Sequence, residues 1–354
     1  MISVAKSLVS DYFRYPHKWS AALLLAIVFF SISGCAEKEA ELQSHNGMTM
    51  GTTFSVKWVP VSGTSQAEIA RQIDAMLVAV NQSMSTYIPD SELSLINRLP
   101  SSSVVNVSAA LGEILDLSLQ IAQASEGAFD ITVGPLVNLW GFGPDGRVTH
   151  APSQEQIADI SERIGYQKLD YDAEARTLTK QVDSYIDLSA IAKGYGVDQV
   201  AGVLEQAGIT HYLVEIGGEL RASGIKPNGQ HWRIAIESPT SELPRTVQRI
   251  IEVRNTGIAT SGDYRNYFEE NGVRFSHTID PATAAPITHR LASVTVLMPT
   301  CAEADALATT LMVLGPDRGM EFAKARGIKA FMLVKTEDGF EERMSPGFET
   351  FLMK

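Results

Sequence analysis

Three groups of residues in this 354-residue chain have types and spacings that do chemistry. The first is residues 187–198, DLSAIAKGYGVD, where an extended run turns into a helix. Ser189 is placed to cap that helix, which puts Lys193 in the first turn, where an ammonium opposes the helix dipole. Gly194 and Gly196 each cost a helix about 1 kcal/mol relative to Ala and admit close approach of another backbone or a ligand. A bound phosphate accounts for these choices together, since free N–H groups, dipole and ammonium then share one anion. An ion pair between Lys193 and Asp187 beside a close helix contact accounts for them as well. On the phosphate reading, replacing Lys193 by Ala leaves stability little changed or slightly improved.

The second group is Asp305 and Thr309, four apart in the helical pattern of residues 301–314 and therefore on one face, which is otherwise rich in Ala. A hard cation such as Mg2+ takes an oxygen pair of this kind, completed by carbonyls, water and ligand phosphate. The alternative is a direct Asp–Thr hydrogen bond, although a buried carboxylate without counter-charge is costly. The third is His277, on a strand that runs into an Asp-Pro turn. A lone His is more often structural, yet its titration near neutral pH makes it the best general-base candidate in the chain.

The elements around these groups read as mixed. Residues 52–59 alternate as a strand, preceded by Met50 and Gly51, with Met50 open to a core or a ligand role. Residues 66–83 and 109–125 have the apolar spacing of helices with one buried face. Between them lies a loop with Ser85 and Tyr87 before a short helix starting at Ser91. Tyr87 can stack on a flat ring or pack on its own loop. Residues 127–143 combine glycines and large rings with the carboxylate Asp130, as either a slot for a flat ligand or a packed loop. Residues 141–146 match the Gly-x-Gly-x-x-Gly spacing, but no helix follows to hold a pyrophosphate, so the match is rejected. A capped helix starts at residues 152–157, strands are expected at 169–180 and 185–188, and Gly217-Gly218 turns a hairpin between 211–216 and 219–223. Further strands fall at 232–237, 249–253, 293–298 and 330–334. About ten short strands and four or five helices in no strict alternation predict an α+β fold, one domain of mixed sheets with packed helices.

A formal net charge of -12 without a long basic run excludes sequence-independent nucleic-acid binding. At the N-terminus, Arg14 and Lys18 precede an apolar run over 19–30 and then Ile32-Ser-Gly-Cys35, the layout of a signal peptide. Ile32 to Cys35 resembles a bacterial lipobox, which implies cleavage before Cys35 and a lipid on that residue; a short membrane anchor is the alternative. The expected organisation is a signal peptide over 1–34, a lipidated tether over 35–46 and one domain over 47–354. Cys301 then remains as the single cysteine of the body, so no internal disulfide is expected.

In order along the chain, Met50-Gly-Thr, Ser85-Thr-Tyr87, residues 127–135, residues 187–198, Glu215-Ile-Gly-Gly-Glu219, residues 260–264, residues 276–281 and residues 304–309 resemble the ApbE family of FAD:protein FMN transferases. The resemblance implies FAD held by Met50, Ser85, Tyr87, Ala128, Phe129, Asp130, Asp187, Lys193 and the strand from His277 to Ile279. It implies Mg2+ on the Ala190 carbonyl, Asp305 and Thr309, with His277 as the base. It further implies FMN attached through a phosphoester to a Ser or Thr of redox membrane complexes, such as the sodium-pumping NADH:quinone reductase or its Rnf relatives, by a protein lipid-anchored on the periplasmic side of the inner membrane. Two other activities fit the same residues: Mg-dependent FAD pyrophosphatase, with water as acceptor, and a non-catalytic flavin-binding lipoprotein. One departure is Ala284, where the family often has Gly; a turn needing positive φ is strained there.

Overall fold

The computed structural model describes residues 41–143, 148, 150–239, 246–263, 267–270 and 273–353. Cys35 with the expected signal peptide lies outside the described residues, as do Pro144, Gly146 and Tyr264. Eight strands form one sheet whose spatial order follows the chain: β1 (Gln43–Thr49), β2 (Thr52–Trp58), β3 (Tyr212–Ile216), β4 (Glu219–Ser223), β5 (Thr256–Gly262), β6 (Leu291–Met298), β7 (Lys329–Thr336) and β8 (Gly339–Met344). Every neighbouring pair is antiparallel. The helices are α1 (Gln66–Met84), α2 (Glu92–Asn97), α3 (Ala109–Ala124), α4 (Gly134–Leu139), α5 (Gln154–Ser161), α6 (Ala192–Gln206) and α7 (Cys301–Arg326). Segregated helices on an antiparallel sheet make this the α+β class expected from the chain.

Both faces of the sheet are covered, and the period-two alternation of β7 shows it directly. Ala330, Met332 and Val334 join the core beneath α3 and α7, whereas Phe331 and Leu333 join a second core with Trp232, Ile251 and Phe348. At the other end of the sheet, α1 and α6 bury Ile69, Ile73, Leu77, Val200 and Leu204 against Val56, Trp58, Tyr212 and Val214. Each such side chain contributes on the order of 2 kcal/mol by leaving water.

Several local features follow the chemistry of the chain. Ser91, Ser108 and Ser153 each accept a backbone N–H at the start of their helices, and Ser153 with Gln156 completes a capping box. Gly217 and Gly218 take positive φ in the β3–β4 hairpin, as Met50 and Gly51 do between β1 and β2. The first strand among the described residues begins at Gln43, inside the span expected as tether (35–46), and pairs along its length with β2, although its polar, half-exposed edge carries no apolar strand pattern. Two expectations are corrected. Residues 185–188, expected as a strand, form no ladder among the described residues. Ser189 does not cap α6, whose N-cap is Ile191 without a side-chain bond.

Ala284 does take positive φ, 54°, next to the short antiparallel pair Ile279–Asp280 and Ala285–Pro286, and its carbonyl accepts from Trp140 Nε1 at 3.0 Å. A left-handed Ala costs about 1 kcal/mol. Ala284→Gly is therefore expected to raise the melting temperature by about 2 °C. An unchanged or lower melting temperature shows the turn to be unstrained.

Candidate active site

Two cavities adjoin at the N-terminus of α6. One, about 390 Å3, is lined by Ala128, Phe129, Asp130, Asp187, Ser189, Ala190, Lys193, Glu219, Thr260, Ser261, His277, Thr278, Ile279, Asp305, Thr309 and Met312, among others. The other, about 600 Å3, is lined by Met50, Gly51, Asn81, Met84, Ser85, Tyr87, Ser189, Ala192 and Lys193, among others. Ser189 and Lys193 belong to both walls. The residues that the family resemblance assigns to FAD, metal and base all line these two adjoining cavities, although they come from segments spread over 260 positions (Met50 to Thr309).

The centre of the cleft is an ionic cluster. Lys193 Nζ lies 3.1 Å from Glu219 Oε1 and 3.8 Å from Asp305 Oδ2. The partner of Lys193 is thus not Asp187, whose Oδ1 instead accepts from the Ser189 backbone N–H at 2.8 Å and from the Ser189 hydroxyl. Gly194 N–H donates to Asp305 Oδ2 at 3.0 Å, so a carboxylate from α7 caps the N-terminus of α6. Glycine is needed there because a Cβ at 194 would stand 2.4 Å from the Cys301 carbonyl oxygen and 2.8 Å from Asp305 Cβ. One of the N–H groups expected to meet a phosphate is hence already committed to Asp305. The two helices are tied a second time where Asp198 of α6 accepts from the N–H groups of Cys301 and Ala302.

Electrostatics decide what this cluster holds. Burial raises the Glu219 carboxyl to about 7, against the pull of Lys193, and raises Asp305 as well, while the two carboxylates hold the Lys193 ammonium above its ordinary value despite burial. Two carboxylates face one ammonium, and Glu219 Oε2 is buried without a hydrogen-bond partner. Such a set has room for one more positive charge. Thr309 points its hydroxyl to within 3.4 Å of Ser261 Oγ, and no hydrogen bond joins it to Asp305 among the described residues. No cage of three or more His, Cys, Asp or Glu side chains occurs among the described residues, so the donors fit a hard cation whose shell is completed by carbonyls, water and phosphate.

The remaining residues sort by what they touch. Asp130 is buried with both oxygens in use: Oδ1 accepts from Thr132 N–H and hydroxyl, and Oδ2 from Tyr166 N–H at 2.8 Å. It holds the loop of Ala128 and Phe129 against the cavity. Burial raises its carboxyl, with these donors opposing. Tyr87 is 69% exposed and lines the second cavity, and Ser85 Oγ accepts the Tyr87 backbone N–H, which fixes the turn between them. Met50 packs against Gly196, where a Cβ would meet Met50 Cε at 2.9 Å, and still lines the second cavity. Ile279 is buried on the first cavity wall. His277 and Phe142 meet at a steep angle, 6.3 Å between ring centroids, beside the stacked rings of Phe268 and Phe275. Glu219 is the site residue that sequence reasoning passed over. Its one signal was an acidic residue directly after Gly217-Gly218, indistinguishable along the chain from Glu215, whose carboxylate accepts from the Gly218 N–H.

The site is thus a two-chambered cleft in an α+β domain, with a lysine at the junction and two buried carboxylates beside it. The ApbE family profile matches residues 50–332, and this chain belongs to the ApbE family. The chain is 47% identical to the FAD:protein FMN transferase of Vibrio cholerae serotype O1, over 95% of this chain and 99% of that protein. It is 42% identical to that of Escherichia coli K12, over 94% of this chain and 97% of that protein. Among solved structures, the flavin transferase ApbE from Vibrio cholerae superposes with a TM-score of 0.82 at 45% identity, covering 88% of this chain and all of that one. A histidine-to-glycine variant of the same protein matches equally well. The apo flavinyl transferase ApbE of Pseudomonas stutzeri gives a TM-score of 0.82 at 42% identity, covering 88% of this chain and 96% of that one.

The ion cluster argues against the expectation that Lys193→Ala changes stability little or improves it. Removing the ammonium leaves Glu219 and Asp305 buried side by side, partly relieved by protonation of Glu219. Lys193→Ala is expected to lower unfolding free energy by about 2–3 kcal/mol, read by denaturant titration. A variant as stable as the parent shows the pair to be solvated.

Proposed function

We infer that this chain transfers FMN from FAD to a Ser or Thr hydroxyl of a target protein, releasing AMP, with Mg2+ bound at Asp305, Thr309 and the Ala190 carbonyl. The observation that carries this reading is the meeting of two cavities at Lys193, which suits a ligand with two flat halves joined by a pyrophosphate. Tyr87 presents an exposed ring at one chamber for stacking, and Lys193, in both walls, stands where the pyrophosphate would pass. When bound, Mg2+ neutralises the charge that develops on the transferred phosphoryl group. The acceptor oxygen attacks the phosphorus on the riboflavin side, the P–O–P bridge breaks, AMP departs, and the hydroxyl proton goes to His277. His277 lies in the chamber wall with Asp305 and Thr309. Glu219 and Asp305 hold the Lys193 ammonium in place, so its charge is fixed before substrate arrives. The relatives named above carry this activity in their names, and one was studied with a histidine replaced. We place the targets among flavin-carrying redox membrane complexes of the sodium-pumping NADH:quinone reductase or Rnf type, reached from a lipid anchor on Cys35 at the periplasmic face of the inner membrane.

Incubation of an acceptor fragment with the protein, FAD and Mg2+, followed by mass spectrometry, is expected to show addition of one FMN phosphoryl unit. Chelator and Asp305→Asn abolish the addition, and His277→Ala slows it on the order of a hundredfold with FAD affinity kept. Free FMN with an unmodified acceptor makes the protein an FAD pyrophosphatase; binding without turnover makes it a carrier. For the anchor, metabolic lipid labelling is expected in the parent and lost in Cys35→Ser; equal labelling of both removes the lipidation.

A further inference from the structure

Helix α7 carries Asp305, Thr309, Met312 and Val313 along one wall of the first cavity and then breaks. Gly315 has φ 78° and ψ -177°, and Pro316 follows. In an unbroken helix the N–H of residue 316 would bond the Met312 carbonyl, but proline has none. His289, on the loop that enters β6, supplies the missing donor: its Nε2 lies 2.9 Å from the Met312 carbonyl oxygen. Its Nδ1 accepts the Leu291 backbone N–H at 3.3 Å. A carbonyl only accepts and an N–H only donates, so both contacts require the neutral ring protonated on Nε2. Burial, the largest influence on the ring, lowers its pKa and favours that state. The ring also fills the space opposite Gly315, where a Cβ would stand 2.7 Å from His289 Cδ2. Helix break and histidine are therefore fitted to each other.

The other end of this strut is the segment that bears His277. Ile287 N–H donates to the Thr278 carbonyl at 3.0 Å, and Ile279 pairs with Pro286, so the His277 to Ile279 segment is fastened to the loop two residues before His289. We propose that His289 is a positioning residue that couples the two halves of the site, fixing the last turns of the α7 segment that carries Thr309 against the segment that carries His277. The inference rests on the Mg2+-dependent reading given above. Asp305 is held independently by Gly194 N–H and Lys193, so loss of the strut falls on Thr309 and His277 and spares Asp305 and the second cavity.

The test measures Mn2+ binding to the protein alone by electron paramagnetic resonance, and FMN transfer with saturating Mg2+. His289→Ala is expected to weaken Mn2+ binding roughly tenfold and to lower kcat by a similar factor, with KM for FAD unchanged, as loss of a ligand-orienting partner does. His289→Gln, whose amide N–H can reach the Met312 carbonyl, is expected to recover most of both. Equal Mn2+ affinity and kcat in parent and His289→Ala overturn the proposal, as does a fall in FAD affinity that His289→Gln fails to rescue. By reciprocity, adding Mg2+ to the unaltered protein slows hydrogen exchange at the Leu291 amide. That measurement decides the matter where His289→Ala does not fold, an unchanged rate counting against coupling. A parent chain that binds no Mn2+ overturns the metal reading and this inference together, whereas equal binding in both chains overturns this inference alone.

Discussion

The contact on which the rest of the site depends is the crossing of α6 and α7 at Gly194. Without a side chain at 194 the helices approach until Asp305 can accept a backbone N–H of the other helix, and Lys193 is swung between Asp305 and Glu219. Helix packing, helix capping and the charge centre of the cleft are thus one interaction. A methyl group at 194 cannot be accommodated, since the atoms in its way are backbone and the base of a side chain. The same crossing is fastened one turn on by Asp198, which caps α7 from α6 as Asp305 caps α6 from α7. Each helix end lends its unpaired N–H groups to a carboxylate of the other.

The sheet explains how such distant segments meet. Its strands follow one another in chain order, so each connection leaves and returns at neighbouring positions, and the long insertions between β2 and β3 and between β5 and β6 both project toward the cleft. The first delivers Tyr87, the Asp130 loop and α6; the second delivers His277. The helix that joins β6 to β7 then brings Asp305 and Thr309 back to the same place. Loops around the sheet are tied to distant segments by specific bonds: Asp130 to Tyr166 N–H and Trp140 to the Ala284 carbonyl.

Polar groups in this cleft divide between those satisfied by protein and those left for ligand. Asp130 and Asp187 spend oxygens on turns in their own neighbourhood. Asp305 spends one on Gly194, and Glu219 keeps a buried oxygen with no partner. The imbalance is concentrated at Lys193, where burial raises the carboxylates and a further cation relieves them. Among the described residues, this is the buried place where carboxylates outnumber the ammonium they face.

Much of this was legible along the chain. Apolar spacing placed α1 within one residue of its observed end, Ser91 and Ser153 marked helix starts, Gly217-Gly218 marked a hairpin, and the strained turn at Ala284 was readable from the Ala that stands where the resembled family often has Gly. These are decided within a few residues, by steric and hydrogen-bonding terms that distant partners do not alter. Residue types and spacing singled out Lys193, Asp305, Thr309 and His277, which line one cavity, whereas Ala128, Ala190 and Ile279 of the same wall came only with the family resemblance. What the chain order left open was who pairs with whom. Lys193 faces Glu219 instead of Asp187, Gly194 makes room for a helix, α6 is capped by Asp305 instead of Ser189, and polar β1 becomes a strand only because β2 lies beside it. Apart from the β1–β2 hairpin, each of these joins atoms far apart in sequence at short range, and such a contact exists only once the helices have packed and the sheet has closed around them.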